Sequence, residues 1–126
     1  MVLVVLSVLI NQTKVLAQVV DIGSITELNG ITRVVRDKPY ESSIDFSLNS
    51  MDRLETAQGR MGVTFQDDTT IRLTEHSNVV IDDFVYDPSS GEGSLSLKAG
   101  LGTIRYASGK IAKNSRQRVK ITTPSA

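Results

Sequence analysis

Asp67, Asp68, Asp82, Asp83 and Asp87 form the densest acidic grouping in the chain. Carboxylate oxygens of this kind suit calcium, and paired carboxylates also cleave glycosidic bonds. The Asp-x-Asp-x-Asp-Gly spacing of a dedicated calcium loop is absent from the sequence. Asp67-Asp68 before Thr69-Thr70 reads more simply as hairpin turn chemistry, because a short Asp side chain bonds its own backbone. Asp82-Asp83 reads as charge on a strand edge, a guard against aggregation. Glycoside cleavage would need a cleft with aromatic platforms, and the chain has 3 Tyr, 3 Phe and no Trp. His76 is the one histidine, too few for a triad or a zinc centre. Beside Glu75, Ser77 and Asn78 it reads as a solvated turn residue.

Two further stretches invite a chemical reading. Gly100-Leu101-Gly102 lacks the Gly-Lys-Ser/Thr ending of a phosphate loop and sits between strand-like flanks, which marks a bulge or tight bend. Lys110, Lys113, Arg116, Arg118 and Lys120 could meet phosphates or an anionic polysaccharide. The run has no interleaved aromatics, and it reads as a solvated loop or short helical turn. No catalytic residue, cofactor-binding residue or metal ligand is nominated. The chain is expected not to be an enzyme and to need no cofactor.

Composition narrows the classes. At 126 residues the chain holds one domain with a modest core. Lys+Arg and Asp+Glu balance at 14 each, so no basic field points to nucleic acid. Cysteine is absent, which excludes disulfides and thiolate metal sites without identifying the compartment.

The elements that would position these residues are strands. Met61, Val63 and Phe65 alternate with Gly62, Thr64 and Gln66, the two-residue period of a half-buried strand. Asp67-Asp68-Thr69 turns the chain, and Ile71 and Leu73 resume inward with Arg72 and Thr74 outward. Glu75 to Asn78 breaks the pattern again. Val79 and Ile81, extended by Phe84 and Val85, form a third run, closed by the turn cluster Asp87-Pro88-Ser89-Ser90-Gly91.

Before this unit, Asn29-Gly30 predicts a hairpin with Ile31, Val34 and Val35 on the return strand. Asp37-Lys38-Pro39 turns once more. Ile44, Phe46 and Leu48 alternate in a less regular stretch, Met51 to Thr56 predicts a short strand, and Gln58-Gly59 leads into the central unit. Leu95 and Leu97, then Ile104 and Tyr106, continue the pattern after it. Val119 and Ile121 form a last strand before Pro124. Turns recur every eight to twelve residues or so, the spacing of an all-β domain of short strands and tight turns.

Met1 to Ile10 is almost wholly apolar, and Val15-Leu16-Ala17 precedes Gln18. This reads as a secretory signal peptide over residues 1–17 with cleavage after Ala17, too short to span a bilayer. No Lys or Arg precedes Val2, which a start codon placed too far downstream would explain. The alternative is a buried N-terminal strand.

The order of these elements resembles a FecR domain. The resemblance rests on the central strand, its Asp-x-Thr turn, Asn78-Val79-Val80-Ile81-Asp82 and Phe84-Val85-Tyr86-Asp87. It extends back to Leu54-Glu55-Thr56 and forward through Leu97 to Thr103 and Ser108 to Lys113. It ends at Ile121-Thr122-Thr123-Pro124-Ser125-Ala126, similar to the family's Thr-Pro-x-Ala element, and covers roughly residues 20 to 126 of an 18–126 domain. It implies a twisted, solenoid-like stack of short strands; periodicity alone leaves a sandwich or barrel equally open. The family's usual further strand is not found after the Thr-Pro-x-Ala element, which implies either a truncated gene model or a domain missing its closing strand. The latter would leave an unpaired edge for aggregation or a partner.

The resemblance implies a stand-alone exported module, periplasmic or at the cell surface. Such a module would bind an envelope protein, by strand addition, or a glycan, without chemistry. The alternative is the periplasmic sensor part of a FecR-type anti-sigma regulator in transmembrane signalling. That role lacks here a cytoplasmic segment ahead of the apolar run and a transmembrane helix. An upstream span would favour the sensor, and a signal peptide with further domains downstream would favour the binding module. The sequence names neither ligand, interface residues nor oligomeric state.

Overall fold

Two long strands organise the chain. The computed structural model describes residues 21–124, so the signal-peptide reading of residues 1–17 lies outside the described residues. The first long strand, β1 (Gly23–Val35), pairs antiparallel with the second, β4 (Arg53–Phe65). Between them lie the short β2 (Pro39–Glu41) and β3 (Ser47–Leu48). After them come β5 (Thr70–Leu73), β6 (Asn78–Asp87), β7 (Glu92–Leu101) and β8 (Ile104–Ala107). A short helix α1 (Lys110–Asn114) and one 3-10 turn (Arg116–Arg118) precede β9 (Val119–Thr122). The all-β expectation holds: among the described residues nine strands form one mixed sheet.

That sheet forks, because the long strands serve two leaves. The first half of β1 and the second half of β4 carry β3, β5 and β8. The second half of β1 and the first half of β4 carry β2, β6, β7 and β9. Both leaves feed one buried cluster, with Ile25, Val63, Ile71 and Leu73 from one and Leu54, Val79, Ile81 and Leu97 from the other. Phe65 of β4 stacks on Phe84 of β6 with ring centroids 5.3 Å apart, which ties leaf to leaf. Burying each such side chain contributes about 1.5–3 kcal/mol. The arrangement is one open mixed sheet whose two long antiparallel strands are shared between the leaves.

Several sequence expectations need correction. Asn29-Gly30 makes no hairpin: β1 runs straight through it. Gly30 adopts φ +75 and lies opposite Gly59, and the register slips between Gly30 and Thr32. The left-handed glycine makes a bulge instead of a turn, throwing Ile31 out to 64% exposure. A Cβ on Gly59 would meet the Asn29 carbonyl oxygen at 2.5 Å, so both chains need glycine where they cross from one leaf to the other. The strand expected over Met51 to Thr56 starts at Arg53 and runs on through Gln58-Gly59 as one continuous strand, β4, while Met51 and Asp52 precede it.

Asp82-Asp83 lies beyond the stretch where β6 meets β4, Asn78–Val80, and among the described residues that part of β6 pairs with β7 alone, so the pair is on a locally open strand edge as expected. Two smaller corrections follow from the same topology. Ile44 is exposed in a turn between β2 and β3, outside any strand. Val85 points to solvent, while Phe84 is buried. The polar turns themselves fall where expected, at Asp67–Thr69, Glu75–Ser77 and Asp87–Gly91.

Candidate interaction surfaces

The acidic residues are occupied in building turns and cross-strand pairs. Asp67 is fully buried, and its carboxylate accepts the Thr69 backbone N–H, the Thr69 hydroxyl and the Ile111 N–H. Asp87 accepts the Ser89 N–H and the hydroxyls of Ser89 and Ser90, which hold its carboxyl below the ordinary Asp range. Asp82 takes the Ser96 hydroxyl and lies 3.6 Å from Lys98, and Asp83 takes the Ser94 hydroxyl. Asp68 pairs with Lys110 at the surface. Among the described residues no three His, Cys, Asp or Glu side chains gather as metal ligands. His76 is exposed in its turn at φ +56. Gly102 turns the chain at φ +84, where a Cβ would strike Ser77.

One buried charge escaped the sequence reading. Asp52 is fully buried, and Arg36 Nε and Nη2 each donate to its carboxylate at 2.7 Å. The Asn49 N–H adds a third bond, and the guanidinium lies 5.5 Å and 5.4 Å from the Tyr40 and Phe46 ring centres. The Asp52 hydrogen bonds raise the Arg36 pKa above its ordinary value. This cluster anchors the irregular segment from β2 to β4. Its sequence signal was absent, because Arg36 and Asp52 are far apart in the chain and each sits in a turn.

Where the two leaves end, the core is left open. Among the described residues β8 pairs only with β5, and β9 only with β7 in parallel. Cross-strand partners share a face. Tyr106 lies opposite buried Ile71 and Ile104 opposite buried Leu73, so both point inward. Val119 and Ile121 lie opposite buried Leu95 and Leu97 and also point inward. Yet Tyr106 remains 37% exposed and Ile121 38%. Between them runs a cleft of about 960 Å³, floored by Ala112 and the residues after it. Of the basic run, Lys113 and Arg116 line this cleft; α1 buries Ile111 and Ala112 while Lys110, Lys113, Arg116, Arg118 and Lys120 stay exposed.

A second surface lies on the outer face of the first leaf. Here Arg60, Arg72 and Arg105 border a groove of about 410 Å³ together with Glu27, Asn29 and Thr74. Among the described residues, no helix is long and apolar enough to cross a membrane. No protein-family model matches the chain, and no curated protein or solved structure is significantly similar to it.

Proposed function

We propose that the chain is an exported, non-catalytic binding module of the FecR-domain type, and that an envelope protein adds an extended segment between β8 and β9. The observation that carries this reading is the pair of open edges. Each edge strand offers a row of backbone N–H and C=O groups with no strand partner among the described residues. Each also turns apolar side chains toward the same cleft. An added strand gains main-chain hydrogen bonds from the edge and pockets for alternate side chains from the core face. The cleft between Tyr106 and Ile121 supplies both. An edge left in this state otherwise invites self-association.

The test is site-specific photo-crosslinking in the producing cell, with the reactive residue at Tyr106, Ile121 or the exposed Val85 on the far part of β6. The reading expects one discrete adduct in the envelope fraction from positions 106 and 121 and none from 85. In the purified complex, amide exchange should slow along both Ile104–Ala107 and Val119–Thr122. Equal labelling from all three positions, or a chain confined to the cytoplasmic fraction, would overturn it.

A further inference from the structure

The outer face of the first leaf carries a row of four residues across four strands. Glu27 of β1 lies opposite Gly62 of β4, Gly62 opposite Arg72 of β5, and Arg72 opposite Arg105 of β8. Like charges directly opposite one another destabilise a sheet, so the Arg72–Arg105 pair works against the fold that contains it. Only Arg72 is compensated, by Glu27 at 3.0 Å. It reaches across Gly62, whose missing side chain clears the way: a Cβ there would meet Glu27 Cβ and Oε1 at 3.0 Å.

Arg60 stands in the next row, opposite Asn29. Among the described residues neither Arg60 nor Arg105 has a carboxylate within ion-pair distance. Two uncompensated guanidinium groups thus flank a compensated one around a single groove.

We infer that this groove binds a carboxylate-bearing oligosaccharide of the polyuronate type. Arginine presents a planar fork that matches a carboxylate with two parallel hydrogen bonds. Arg60 and Arg105 supply that fork at two points, with Cα atoms roughly 12 Å apart from strand spacing and rise. A short uronate oligomer reaches both.

The remaining polar lining suits hydroxyl groups set between the two carboxylates. Glu27, paired with Arg72, repels any anionic oxygen placed beside it but accepts sugar hydroxyls, and Asn29 and Thr74 can both donate and accept. A ligand rich in hydroxyls and spaced carboxylates therefore meets the polar groups of the groove, while Leu28, Met61 and Leu73 add apolar lining. The site is on the opposite face of β8 from Tyr106 and does not depend on the strand-addition reading.

The test is titration calorimetry of the purified chain with oligogalacturonate, with the corresponding neutral galactose oligomer, and with pyrophosphate. Oligogalacturonate should bind with an affinity that falls as salt rises, and the neutral oligomer should not bind. Arg60→Ala with Arg105→Ala should weaken oligogalacturonate about tenfold or more. Arg118→Ala, on the other basic surface, should leave it unchanged. Arg105→Ala alone should raise the melting temperature slightly by removing the like-charge pair, which separates a lost ligand contact from a lost fold. Unchanged affinity in the double variant, or pyrophosphate binding as tightly as oligogalacturonate, would overturn the inference.

Discussion

The carboxylate of Asp67 accepts the backbone N–H of Ile111 at 3.0 Å, across 44 residues of sequence. The Asp67 carbonyl also takes the Lys110 N–H at 2.7 Å. One turn of the first leaf thereby fixes the start of the helix that packs, through Ile111, beside Gly93 on the second leaf. Gly109 is needed at that junction, because a Cβ would meet the Thr69 nitrogen at 2.3 Å and the Asp67 carbonyl oxygen at 2.4 Å.

Replacing Asp67 by Ala would strand the buried N–H groups of Thr69 and Ile111 at once. The expected loss is about 3 kcal/mol, since each buried donor left unsatisfied costs roughly 1–3 kcal/mol. Asp68→Ala removes only an exposed ion pair and should cost less than about 1 kcal/mol. Urea denaturation of the two variants checks the contrast, and equal midpoints would refute the assignment of the inter-leaf link to Asp67.

The Arg36–Asp52 pair predicts an asymmetry. Removing Arg36 leaves a wholly buried carboxylate facing no cation, whereas removing Asp52 leaves a guanidinium that is 30% exposed and can be hydrated. Arg36→Ala should therefore cost about 3 kcal/mol, the low end for a broken buried pair, and more than Asp52→Ala. Arg36→Lys should recover only part, because lysine keeps the charge but not the two-point fork or the aromatic stacking. Thermal melts of the three variants give the ranking, and a larger loss for Asp52→Ala would contradict it.

How much of this was legible in advance depends on the range of the interactions. Two-residue alternation placed Met61, Val63, Phe65, Ile71, Leu73, Val79 and Ile81 inside, and all are buried. The local turn chemistry of Asp67, Ser77 and Asp87 was equally readable. Gly30 was misread because Asn-Gly describes two residues, while the choice between turn and bulge lies with Gly59 on the partner strand. The same limit hid the Arg groove. Glu27, Arg60, Arg72 and Arg105 have no local pattern and meet only through the registers of four strands. The parallel pairing of β9 with β7 was also beyond local signals, being fixed by the helix and turn between β8 and β9.

Gly30 itself offers a direct test of the bulge. Alanine there would have to adopt a left-handed backbone and place its Cβ 2.2 Å from the Gln58 carbonyl oxygen. The conformational cost alone is about 1–2 kcal/mol, and the backbone clash adds to it. Gly30→Ala should thus destabilise strongly, with loss of amide protection on both β1 and β4 around the crossing. Asn29→Ala should change little, whereas a tight Asn-Gly hairpin would make the two substitutions comparable.

Tyr106 connects the open cleft to pH. Burial against the core, and next the nearby Asp67 carboxylate, raise its phenol pKa above the ordinary value. A tyrosine is charged when deprotonated, so the folded chain holds this proton more tightly than the unfolded chain does. The stability it contributes is whole below the unfolded phenol pKa, about 10, and declines as pH rises through the higher folded value. Tyr106→Phe should match the parent chain at neutral pH and lose less stability between pH 9 and roughly 11. Tyr40 is also raised, chiefly by its hydrogen bond to Asp37, so Tyr40→Phe serves as the parallel control. Denaturation midpoints across that range decide the matter. A strand seated in the cleft would cover the phenol further and shift its ultraviolet titration upward, whereas identical alkaline profiles for the parent and Tyr106→Phe would remove the residue from the argument.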